Sequence, residues 1–180
     1  ERGHIYIAQP PLYKAKQGRE EVYLKDDHEL KQFLLRVALK GAELVPGEGR
    51  VPLAPESLGN VAREYLLAEA VVERTARIID SAALYAMLGG TPIDLSSETA
   101  AQRSAEALVA AIADPAVMVE ARYDAASESR RLLITRTHHG TPHYTAIDAD
   151  FLASGDGGQI HAAAEVLQGL VSAGAFVRRG

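Results

Sequence analysis

Cysteine is missing from all 180 residues. That excludes disulfides, thiolate zinc sites and cysteine nucleophiles, and it fits a reducing compartment. No run of 18 or more apolar residues occurs, so no segment reads as a membrane span. A secretory signal and an initiator methionine are also lacking: Glu1-Arg2-Gly3-His4 leads directly into a strand-like stretch, as expected for a piece of a longer, cytoplasmic polypeptide with no membrane partner. Lysine disappears after residue 50. Residues 1–50 carry nine Lys/Arg against eight Asp/Glu, whereas residues 51–180 carry ten Arg against sixteen Asp/Glu, giving the net charge of −5. Phosphate contacts supply most nucleic-acid affinity and leave a basic footprint. The long acidic second segment argues against a stand-alone DNA-binding domain.

What is present suffices for a folded core. Hydrophobic residues make up 47% of the chain, and the patterning predicts an α+β fold. Residues 4–9 alternate like a strand, and Pro10-Pro11 forces a bend or an edge. Residues 12–16 and 20–24 read as a hairpin about a Gln17-Gly18 turn. Asp26 or Asp27 caps a short helix reaching Gln32. Alternation of Leu35, Val37 and Leu39 with Arg36, Ala38 and Lys40 then predicts a strand, and Glu43-Leu44-Val45 after Gly41 its return. Pro46-Gly47-Glu48-Gly49 marks a break.

Three helices follow. The first starts at Pro55 and aligns Leu58, Val61, Tyr65, Val72 and Ile79. The second is capped at Asp80-Ser81, carries Leu84, Met87 and Leu88, and ends at Gly89-Gly90. The third is capped by Ser96 or Ser97, turns Leu108, Val109 and Ile112 inward and stops at Asp114-Pro115. Residues 117–147 shift to a period of two and predict an antiparallel meander with a turn at 125–129. Asp156 or Gly157 opens a helix bearing Ile160, Ala163, Leu167 and Leu170, ended by Gly174. Phe176 and Val177 begin one more extended piece.

Residues capable of chemistry are few. His138, His139 and His143 form the one metal-like grouping, but a hairpin turn splays such rings, and exposed turn histidines are the simpler reading. Asp26/Asp27 and Asp148/Asp150 could hold magnesium or act as acid and base, yet both pairs stand where helices or turns begin. Gly155-Asp156-Gly157-Gly158 lacks the lysine and Ser/Thr of a phosphate loop and reads as a helix entry. No serine sits in a nucleophile elbow. No catalytic or metal residue is therefore assigned. Lys14, Lys16 and Arg19 on the hairpin are candidate DNA contacts, joined on the meander by Arg130, Arg131 and Arg136. Tyr6, Tyr13 and Tyr23 are expected to pack rather than to stack on bases.

The run Gly3-His4-Ile5-Tyr6-Ile7-Ala8-Gln9-Pro10-Pro11-Leu12-Tyr13-Lys14, continued by Gln17-Gly18 and Tyr23-Leu24-Lys25-Asp26-Asp27, closely resembles the B subunit of DNA gyrase. Thr135-Arg136-Thr137-His138 and Gly174-Ala175-Phe176-Val177-Arg178-Arg179-Gly180 resemble parts of the large insertion in Gram-negative members. The resemblance implies late Toprim strands over residues 1–30 and the insertion domain over 31–180. It also implies a parent enzyme that uses ATP and magnesium to introduce negative supercoils, cleaving DNA through a tyrosine of the gyrase A subunit. The parent's Glu-Gly-Asp-Ser and Asp-x-Asp metal clusters have no counterpart here, so no cofactor is expected in these residues. Expected partners are DNA, other B-subunit domains and the A subunit of gyrase. The insertion is expected to brace the cleavage core or, alternatively, to contact DNA. Unpaired strand edges in residues 4–24 would favour a dimer arising from excision alone.

Overall fold

The computed structural model describes residues 10–46, 51–168, 170 and 175–179. The expected strand at 4–9, Tyr6, most of the 46–49 break and the Gly174 stop lie outside them. The chain opens with a hairpin, β1 (Tyr13–Gln17) paired antiparallel with β2 (Glu20–Leu24), turning where Gly18 adopts φ +62°. Its inner face carries Tyr13, Ala15, Val22 and Leu24, and its outer face carries Lys14, Lys16, Glu21 and Tyr23.

Helix α1 (Asp27–Leu39) replaces the predicted short helix and strand. Asp26 caps it by accepting the Glu29 amide at 2.8 Å, and Glu29 accepts the Lys25 amide at 2.7 Å. Once nucleated, the helix meets no glycine or proline before Gly41. Leu, Arg, Ala and Gln in this stretch are good helix formers, so propagation wins over the two-residue alternation. Gly41, at φ +70°, follows its end.

The return strand β3 (Ala42–Val45) exists, but it does not pair with the segment before it. Its partner is β7 (Phe176–Arg179), joined antiparallel from the far end of the chain. Buried Ala42 and Leu44 pack with Leu58, backed by Leu39, Leu53 and Leu170.

The main core lies further on. Helices α2 (Pro55–Thr75), α3 (Ser81–Leu88) and α4 (Glu98–Ile112) precede a three-stranded antiparallel meander. Its strands are β4 (Val117–Asp124), β5 (Ser129–His138) and β6 (Thr141–Ile147), in the order β4-β5-β6. The short α5 (Ala149–Ala153) and then α6 (Gly155–Leu167) follow. Leu84, Leu88, Leu108, Leu132, Ile134, Ile147 and Ile160 are fully buried in one cluster, each contributing about 1.5–3 kcal/mol of transfer free energy. Asp80 and Ser97 are the caps of α3 and α4. Ser154 caps α6, so the expected entry at Asp156 or Gly157 moves to Gly155.

Val109, expected inward, is exposed, because α4 turns Ala101, Ser104, Ala105 and Leu108 to the core instead. Buried Ser104 is satisfied by the Asp94 backbone: its Oγ accepts the amide at 2.8 Å and donates to the carbonyl at 3.3 Å. None of the helices among the described residues is long and apolar enough to cross a membrane.

Candidate functional site

Charged residues gather on two surfaces and at one internal node, and the residues that sequence reasoning singled out lie on the first surface and on the meander that holds the node. On the hairpin, Lys14 forms an ion pair with Glu21 at 2.7 Å and lies over the Tyr23 ring, 5.6 Å from its centroid. Lys16 and Arg19 are exposed and make no ion pair among the described residues. Tyr13 does pack: half-buried, it donates its hydroxyl to Asp27 and ties the hairpin to α1. That bond, to an anion, pushes the phenol above its ordinary range. Tyr23, also expected to pack, is exposed on the outer face.

The second surface is the junction between α1 and the larger domain. Lys31 on α1 reaches Glu73 at 3.0 Å and Glu69 at 3.8 Å, two α2 residues one helical turn apart. The hydrogen bond to Glu73 raises the Lys31 ammonium above its usual range. About two turns further along α1, Arg179 of β7 donates to the Ala38 carbonyl at 2.8 Å. Arg178 pairs with Glu43 across the β3–β7 ladder at 2.8 Å. Below these contacts Leu39 meets the Ala42, Leu44 and Leu58 cluster. Sequence reasoning missed this junction entirely. An acidic Glu69/Glu73 pair at helical spacing was its one legible trace, and that pair names no partner.

The internal node is Arg136. Its Nε donates to Asp80 at 2.5 Å, its Nη2 to the same carboxylate at 3.1 Å and its Nη1 to Asp114 at 2.8 Å. Asp80 also accepts the Ala82 and Ala83 amides as the α3 cap, and Asp114 accepts the Ala116 amide. Burial alone would raise the Asp80 carboxyl, but Arg136 and the two amides outweigh it and hold it below its ordinary value. The Ala116 amide and then Arg136 do the same for Asp114. Arg136 is raised in turn by Asp80. A guanidinium so engaged joins β5 to the loops before α3 and β4, and has little left to offer a phosphate. Arg131 pairs with Asp124 at 3.2 Å, and Arg130 lies 5.8 Å from the Tyr123 ring.

Asp26 and Asp148 are helix caps. His138 and His139 stack edge to face with centroids 4.1 Å apart at an exposed turn. No group of three His, Asp or Glu among the described residues is arranged to hold a metal ion.

What this geometry defines is an α+β domain fastened to a helix-bearing hairpin. The DNA gyrase B subunit insert domain matches residues 42–180, and the GyrB hook matches residues 11–39. The chain belongs to the DNA gyrase B subunit insert domain family. It is 42% identical over 97 residues to the DNA gyrase B subunit of Caulobacter vibrioides strain NA1000, a match covering 51% of this chain and 12% of that protein. The DNA gyrase B subunit of Helicobacter pylori strain 26695 is 39% identical over 80 residues, covering 44% and 10%. The B subunit of the type 2 topoisomerase of Aquifex aeolicus is 49% identical over 45 residues, covering 25% and 6%. The chain thus spans about an eighth or less of the length of these relatives.

Proposed function

We propose that this chain braces the cleavage core of a DNA gyrase through its B subunit, with no chemistry of its own. The observation that carries the reading is the junction. The helix matching the hook is fixed to the domain matching the insert by Lys31 with Glu69 and Glu73, by Arg179 on the Ala38 carbonyl, and by the Leu39–Leu44–Leu58 cluster. Contacts about two turns apart along one helix restrict both its tilt and its translation. In the parent, that helix would relay the insertion's position to the Toprim strands of the core. ATP, magnesium and the supercoiling reaction would belong to parts of the parent beyond this chain. Its cytoplasmic partners would be the gyrase A subunit, the other B-subunit domains and DNA. The acidic balance of residues 51–180 suits contact with basic protein surfaces and repels bulk DNA.

A second reading rests on Lys16 and Arg19, exposed cations without ion pairs among the described residues, together with Lys14 beside Tyr23. In that reading the hairpin contacts the DNA backbone. Fluorescence anisotropy of a labelled duplex across a salt series separates the two. Bracing alone predicts no saturable binding at low salt. Micromolar binding with a steep salt slope, abolished by K16E together with R19E, would establish the hairpin as the contact and displace bracing as the main role.

A further inference from the structure

Beside the seam held by Lys31, α1 presents Gln32, Arg36 and Lys40 to a groove of about 1210 Å³, walled by the hairpin and by the first turns of α2. Those three residues follow one another at about one helical turn and so share a side of α1. The groove exceeds the roughly 300–1,000 Å³ of a small-molecule pocket and suits a stretch of polypeptide. Val22 of the hairpin and Leu35 and Leu39 of α1 line it and are only half-buried, which leaves apolar surface open to an occupant.

Charge identifies the occupant. The chain is acidic, with a net charge of −5, and Arg74, Arg122, Arg131, Arg136 and Arg178 each meet a carboxylate. In this groove the balance is reversed. Arg36, Lys40 and Arg63 line it, are exposed and make no ion pair among the described residues. Arg36 lies 5.5 Å from the centroid of the Phe33 ring, and Arg63 donates to the neutral Asn60. Of the two carboxylates in the lining, Glu29 is already engaged at the start of α1, where it accepts the Lys25 amide and pairs with the Lys25 ammonium at 4.0 Å. Glu20 makes no ion pair among the described residues. Three uncompensated cations thus meet one uncompensated carboxylate, an excess that an acidic partner neutralises. Arg36 and Lys40 come from α1 and Arg63 from α2, so the fold and not a basic run of sequence assembles them.

We propose that this groove binds a segment of a partner protein that combines carboxylates with apolar side chains. The carboxylates would reach Arg36, Lys40 and Arg63, and the apolar side chains would cover Val22, Leu35 and Leu39. Guanidinium groups suit planar carboxylates in particular. A DNA backbone would satisfy the cations, but it has no use for the apolar lining and would meet Glu20. The proposal stands independently of the bracing role.

The test titrates a fluorescein-labelled peptide of mixed glutamate and leucine with the 180-residue chain, read by anisotropy and by amide NMR shifts. Saturable binding that weakens with added salt is expected, with the largest shifts at Gln32, Arg36 and Asn60. Lys40→Glu together with Arg63→Glu alters exposed side chains without ion pairs, so circular dichroism should be unchanged while binding weakens about tenfold. Lys16→Glu, on the outer face of the hairpin, should leave affinity within about twofold. A glutamate–serine peptide, which cannot cover the apolar lining, should bind about tenfold less tightly, and a lysine–leucine peptide should not bind. Absence of saturation, shifts centred elsewhere, unaltered binding by the double variant, equal binding of either control peptide, or displacement by duplex DNA would each overturn the proposal.

Discussion

At the scale of single residues, Arg136 and Gly157 show how a charged and an uncharged position can each be fixed by the same fold. Arg136→Met removes the guanidinium and leaves Asp80, 9% exposed, as an uncompensated carboxylate. The expected loss is about 3 kcal/mol, the lower end for breaking such a pair because Arg136 is partly exposed. Urea unfolding at neutral pH measures it. Since Asp80 and Asp114 are both depressed when folded, their contribution is complete above the unfolded aspartate value of about 3.9. It is lost as pH falls through their lower folded values. The wild-type chain should therefore show an acid limb below about pH 4, and Arg136→Met should flatten it. Gly157 is a different constraint. A Cβ there would fall well inside contact distance of the Phe151 carbonyl oxygen and 3.1 Å from Leu152 Cα, both backbone atoms that cannot give way. Gly157→Ala should cost about 2–3 kcal/mol. Gly158, one residue on, has open space around it, and Gly158→Ala should raise stability by about 0.5–1 kcal/mol through helix propensity. Thermal melts of the pair give the comparison. The Gly155–Gly158 run was legible as a helix entry, but the difference between its glycines was not, because it depends on the approach of α5.

Between elements, the α1–α2 contact sets what a brace can transmit. Lys31, Glu69 and Glu73 are partly solvated, so charge reversal at Lys31 should lower global stability by no more than about 1 kcal/mol. Its local effect should be larger. In Lys31→Glu, amide exchange in α1 should accelerate while α3 and α4 keep their protection, and adding Glu73→Lys should restore α1. Unchanged exchange in α1 would mean that the apolar cluster alone holds the helix. The predicted strand at 35–40 failed at this same element. Its alternating burial is real, since Phe33, Leu35, Val37 and Leu39 are all more buried than the residues between them. The capped helix nevertheless continues through them, contacting the hairpin on one side and α2 on the other, and that two-sided burial imitates a period of two. Nothing in the local sequence reveals two neighbours.

Across the whole molecule, most buried apolar residues divide between a large cluster shared by α2, α3, α4, α6 and the meander, and a small one at Ala42, Leu44 and Leu58, while Leu24 and Phe33 are buried outside both. Two tiers of hydrogen exchange should follow. Amides of Leu84, Leu108, Leu132 and Ile134 should exchange through global unfolding. Those of β1 and β2, a two-stranded sheet packed on α1 outside the large cluster and carrying exposed Tyr23, should exchange orders of magnitude faster. A single tier throughout would show that hairpin and domain unfold together. The sequence by itself determined the elements whose signals are local: the hairpin about Gln17-Gly18, the caps at Asp80 and Ser97, the stop at Asp114-Pro115 and the meander over 117–147. Each depends on backbone preferences and side-chain bonds spanning a few residues. Tertiary structure alone decided that β3 pairs with β7 from the far end of the chain, that Arg136 faces Asp80 and Asp114 rather than solvent, and that Lys31 meets two glutamates of α2. Those outcomes turn on which distant groups the folded core brings within hydrogen-bonding reach, and that distance is set by packing rather than by neighbours along the chain.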